Sequence, residues 1–138
     1  MKLTLFCVFF LTLSGFENYQ KPNIYSNSNE VKQIVIHYVD FDTETIIRID
    51  CSNLNYFGKD LKLKKIADAK TVSKILNFLE NANEKKSKVG IDVRFKMKIE
   101  YNSGETKEIC GNGAFMEMEN KQYLMNKDFL NCLTKLLK

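Results

Sequence analysis

The chain has 138 residues, of which 44% are hydrophobic and 28% charged, with a net charge of +4. Those fractions are ordinary for a folded protein, which excludes extensive disorder, and the length suits one domain rather than two. The charge is too mild to call for a polyanionic partner, so no nucleic-acid binding is expected.

The first element is a targeting signal. Met1-Lys2 gives a positive start, Leu3 to Leu13 is an unbroken apolar run, and Ser14-Gly15 supplies small residues. That is the order of a secretory signal peptide. The run falls short of the roughly 20 apolar residues of a membrane span. Residues 1–15 are therefore expected to be removed, giving a mature chain that starts near Phe16 and is not stably inserted in a membrane. Leu13 stands where a small residue usually precedes the cut, so retention as an anchor is the alternative. Cys7 sits too early, behind Leu5 and Phe6, to be a lipoprotein acceptor. Residues 16–30 hold the only proline and show no periodicity, which reads as a flexible leader. Residues 31–138 are expected to form the α+β domain.

Val31 to Val39 and Thr45 to Cys51 are rich in β-branched residues and flank the turn-like Asp40 to Glu44. The pair predicts an antiparallel hairpin. Leu61 to Lys64 predicts a short edge strand whose lysines discourage further pairing. Asp68 is a good N-cap, and Val72, Ile75, Leu76 and Leu79 follow helical spacing, so a helix is expected from there to Ala82. Asn81 to Lys88 reads as a solvated loop. Ile91 to Tyr101 alternates throughout: Ile91, Val93, Phe95, Met97, Ile99 and Tyr101 share one face, with Asp92, Arg94, Lys96, Lys98 and Glu100 on the other. This predicts a strand with one buried and one wet face.

Asn102-Ser103-Gly104 is a hairpin turn leading to a strand that ends at Cys110. A bend follows at Gly111-Asn112-Gly113, then a second hairpin around Glu119-Asn120-Lys121. Asn126 or Asp128 caps a last helix whose apolar stripe is Phe129, Leu130, Leu133, Leu136 and Leu137. The expected fold is an antiparallel sheet of five to seven strands, with both helices packed on one face against Val93, Phe95, Met97 and Ile99. Both halves run hairpin, cysteine, short strand, helix, as a duplicated hairpin-plus-helix unit would.

An exported chain meets oxidising conditions, so two of Cys51, Cys110 and Cys132 are expected to pair. The equivalent places of Cys51 and Cys110 at the ends of their hairpins favour that pair, leaving Cys132 as a buried thiol. No N-x-[ST] sequon occurs, which leans towards a bacterial envelope, periplasmic or secreted protein.

Catalytic signals are sparse. His37 is the only histidine, and a thiol nucleophile would need it as base. Asp40, Asp42 and Glu44 lack the glycine and bidentate glutamate of a calcium loop. No zinc spacing, phosphate-cradling loop, nucleophile elbow or dinucleotide fingerprint is present, so no metal, cofactor or catalytic residue is assigned. Arg94, Lys96 and Lys98 form a cationic stripe on the wet strand face. They are the candidate contact for an acidic protein partner. The expected function is that of a small exported binding domain: an inhibitor, an immunity-type protein or an envelope adaptor. The alternative is a small hydrolase or thiol enzyme centred on His37 with a cysteine or the carboxylate of Asp40 or Asp42.

Overall fold

A computed structural model of the chain describes residues 30–138. The expected signal peptide, Cys7 and nearly all of the expected leader lie outside the described residues. In chain order the elements are β1 (Val31–Tyr38), a 3-10 helix (Leu54–Asp60), β2 (Lys62–Ile66), α1 (Ala69–Glu80), β3 (Phe95–Tyr101), β4 (Thr106–Gly111), β5 (Phe115–Met118), β6 (Lys121–Leu124) and α2 (Lys127–Leu137). The six strands form one antiparallel sheet in the order β2-β1-β3-β4-β5-β6.

Alternation sets the two faces. Ile34, Ile36 and Tyr38 stand beside Met97, Ile99 and Phe95 across the β1–β3 register, and Ile109, Met116, Met118 and Tyr123 continue that face. Both helices close it. Val72, Ile75, Leu76 and Leu79 of α1 and Phe129, Leu133 and Leu137 of α2 join these residues in one core. The helices also touch each other, Phe78 stacking on Phe129 with ring centroids 5.2 Å apart.

Each helix begins where a side chain replaces a missing partner for its first amides. The Thr71 amide donates to Asp68 Oδ1 at 2.9 Å, and the Asp128 amide to Asn126 Oδ1 at 2.7 Å. Glu119 and Asn120 both have positive φ, at 50° and 62°, the signature of the tight type I′ turn that suits a two-residue hairpin. Gly111 is required by a close approach: a Cβ there would come within 2.6 Å of the Phe115 carbonyl oxygen, where β4 turns into β5.

Three expectations need correction. Residues 45–51 are not a strand: β1 pairs instead with β2, and residues 39–61 make a long excursion without sheet pairing. The two halves consequently do not repeat one plan, since the first contributes two strands and the second four. Val93 does not support the helices either. The ladder starts at Phe95, and Val93 joins Val39, Ile49, Leu54, Phe57, Ile91 and Cys110 in a second, smaller core. Strand alternation puts Cys110 opposite the helix-facing Ile109, so this second core closes part of the other side of the sheet.

Both sheet edges are guarded differently. β2 is a free edge carrying exposed Lys62, Lys64 and Lys65, as the sequence predicted. β6 is covered by the segment after α1: Lys85 N donates to Gln122 O at 2.8 Å and Leu124 N to Asn83 O at 2.9 Å. Part of the supposed solvated loop is thus tied to the sheet.

Candidate functional site

The excursion of residues 39–61 is tied to the segment leading into β3 by one buried charged side chain. Arg94 is only 6% exposed, and all three of its guanidinium nitrogens donate hydrogen bonds. Nε donates to Thr43 O at 2.8 Å, Nη1 to Val93 O at 3.0 Å, and Nη2 to Asp92 Oδ2 at 2.6 Å. The plane lies over the Phe57 ring, 5.6 Å from its centroid, a favourable placing for a cation. Asp92 completes the strut by accepting from the Ile49 amide at 2.8 Å and from Thr45 Oγ1 at 3.3 Å. Ile49 O in turn accepts from the Val93 amide at 2.8 Å. The hydrogen bond from Arg94 is the main reason the Asp92 carboxyl titrates below its ordinary 3.8; burial opposes it and the Ile49 amide assists.

The stretch between Thr43 and Ile49 is therefore gripped at both ends by one partly buried ion pair. Two residues later the chain is fixed covalently, because Cys51 and Cys110 form a disulfide with Cα atoms 5.7 Å apart. Asp50 caps the following turn, held as a carboxylate chiefly by Ser52 Oγ at 2.6 Å. What this framework presents is apolar. Ile46 is 99% exposed and Ile47 54%.

Beside the disulfide lies a groove of about 520 Å³, whose walls include Arg48, Asp50, Cys51, Glu108, Glu117 and Glu119. Its carboxylates are mostly engaged: Glu108 pairs with Lys96 at 2.9 Å and Glu119 with Lys107 at 3.6 Å. Gln122, buried in its floor, exchanges two hydrogen bonds with the Val89 backbone, at 2.7 and 2.8 Å. Arg48 lies across Gly90, where any Cβ would overlap its guanidinium.

The three cations do not form one exposed stripe. Arg94 is buried, contrary to the reading of its strand face as wet throughout. The reason is that residues 39–61 fold over it. Lys96 is bound to Glu108, and Lys98 to Glu100 at 3.4 Å. Lys96 and Lys98 do share one sheet face, as their spacing implied.

His37 is exposed on that same face, with Lys96 and Leu63 as its register neighbours. It lines none of the three grooves described for the molecule. Neither Cys51 nor Cys110 is a thiol, and Cys132 lies on α2, in the helix layer across the sheet. The Asp40 carboxylate is engaged by Lys62 at 2.8 Å. The structure thus brings no base, nucleophile and carboxylate together around His37. Among the described residues no group of three His, Cys, Asp or Glu side chains is placed to hold a metal ion, and no helix is long and apolar enough to cross a membrane.

Sequence reasoning missed the role of Arg94, Asp92 and Ile46. One signal was available. The chain has only two arginines among 21 basic residues, and arginine is the cation suited to buried, many-bonded positions. Comparison with protein-family models, with curated proteins and with solved structures finds no match.

Proposed function

We propose that the chain is an exported binding domain that engages a protein partner through the excursion of residues 39–61. The observation that carries this is the exposed Ile46-Ile47 pair on a loop whose ends are both locked to Arg94 and Asp92. Holding such a loop in one shape lowers the ordering cost of association, which is where a small contact surface gains affinity. A structural connector has no need of exposed β-branched residues at its tip. The disulfide supports the export half of the reading, because such bonds persist in oxidising compartments. The signal-like residues 1–15 point the same way.

Two measurements test the two halves. Intact mass of the exported fraction should show a chain beginning near Phe16 and lighter by two hydrogens than its reduced form. A full-length product retained inside the cell rejects export. A photo-crosslinking residue at Ile47 should give a defined protein adduct in an envelope extract of the producing cell, while one at Lys74, exposed on α1, should not. Adducts from both positions, or from neither, reject the loop as the contact.

A further inference from the structure

We infer that the partner's contact site is an apolar pocket with a basic rim, and that Ile46 is the side chain seated in it. This rests on the binding-domain reading and names the chemistry of its partner.

The apolar half follows from exposure and stiffness. Ile46 is 99% exposed, so nearly its whole side chain is open to burial by a partner. A β-branched side chain has few rotamers to lose on burial. The loop beneath it is already fixed by Thr43 O, Ile49 N and the disulfide. Both main entropic costs of seating one side chain in a pocket are therefore small.

The basic rim follows from local charge. Residues 40–50 carry four carboxylates, Asp40, Asp42, Glu44 and Asp50, against the single guanidinium of Arg48, within a chain whose total is +4; with Asp40 paired to Lys62, three remain against one. Asp42, Glu44 and Asp50 are exposed and flank the Ile46-Ile47 tip. Lys62, Lys64 and Lys65 are exposed on β2. A basic surface is drawn to the loop and repelled from the lysine-bearing edge, which fixes the orientation of approach. An acidic partner, or an anionic membrane, meets like charge at the tip.

The test is selection of a random-peptide phage library on the oxidised full chain. The enriched peptides should combine Lys or Arg with aliphatic or aromatic residues. Their affinity should fall about tenfold or more for Ile46→Asp, as for a central anchor. It should fall less for Glu44→Lys, and that loss should shrink as salt is added. Ile46→Asn is the second variant; both should melt like the parent, because the side chain touches solvent rather than core. Enrichment of acidic peptides, or of peptides that bind Ile46→Asp unchanged, overturns the inference. If those unchanged peptides instead lose affinity for Lys96→Glu/Lys98→Glu, the chain is a binding domain that uses its open sheet face. No enrichment over an unrelated disulfide-bonded control overturns the inference; the Ile47 crosslink, read separately, then decides the binding-domain reading.

Discussion

On one side of the sheet, Phe95, Met97, Ile99 and Ile109 are covered by Val72, Ile75, Phe129 and Leu133 from two amphipathic helices. On the other side, Val93 and Cys110 are covered by Val39, Ile49, Leu54 and Phe57 of an excursion that has only a 3-10 turn of its own. The helices satisfy their own backbone groups, so apolar contact suffices to dock them. The excursion has no ladder, and its amides and carbonyls must be met singly, by side chains or isolated backbone groups, if they are to leave water. Arg94 does this at the Thr43 carbonyl and Asp92 at the Ile49 amide, and the Cys51–Cys110 bond fixes the chain two residues further on. The first face is general and stable; the second is specific, and it is the one that displays Ile46.

If that contrast is right, perturbations should separate by face. The largest effect belongs to the helix side: Phe95→Ala or Leu76→Ala should cost about 3–4 kcal/mol in urea unfolding, the scale of a buried large-to-small change. Near-neutral results at both positions would mean the core is elsewhere. Next comes the disulfide, which spans 59 residues. Replacing Cys51 and Cys110 by alanine should cost about 2–4 kcal/mol. Hydrogen exchange should show the loss first at amides of residues 43–53, with α1 and α2 still protected. Uniform loss would show that the two faces are one cooperative unit.

Arg94→Met should cost about 2 kcal/mol, the worth of hydrogen bonds to a charged group, again with the excursion released first. The same strut gives a pH signature. Asp92 titrates below its ordinary 3.8 in the folded protein, so its contribution is complete above that value and is lost as pH falls through the lower folded value. Exchange of the Ile49 amide should accelerate in that acid window, and in Arg94→Met the acceleration should begin nearer 3.8. The smallest effect is expected for Lys98→Ala, whose 3.4 Å pair with Glu100 is partly open to solvent; a change within about 0.5 kcal/mol is expected by chemical denaturation.

How much of this could be read from residue order also divides by face. The alternation from Phe95 to Tyr101, both helix stripes, the Asp68 cap and the turn at Asn102-Ser103-Gly104 all follow from local period or local turn chemistry, and each stands where expected, though the ladder begins four residues later than the alternation. The Cys51–Cys110 pair was found as well, although Cys51 lies in a loop and not at a strand end. Residues 45–51 misled because TIIRIDC has the composition of a strand. Its apolar side chains split between burial, at Ile49, and display, at Ile46 and Ile47, and its Ile49 amide is met by Asp92 rather than by a neighbouring strand. Arg94 misled because parity placed it with Lys96 and Lys98. Parity reports a face and is silent about what folds over it. Ile46 left no mark, because exposure at a loop tip is set by tertiary supports far along the chain.

The position of β1 carries a consequence for how the chain acquires its structure. It lies between β2 and β3, so one of its edges is met within about thirty residues, whereas the other waits for residues 95–101. Contacts of such long sequence separation form slowly. During that delay VKQIVIHY offers an unpaired edge, the segment from which misassembly would start. Oxidation should follow the same order, Cys51 pairing with Cys110 once β4 has been laid against β3. Thiol trapping during refolding should therefore catch Cys51–Cys132 or Cys110–Cys132 bonds only in chains whose β3 amides are still unprotected.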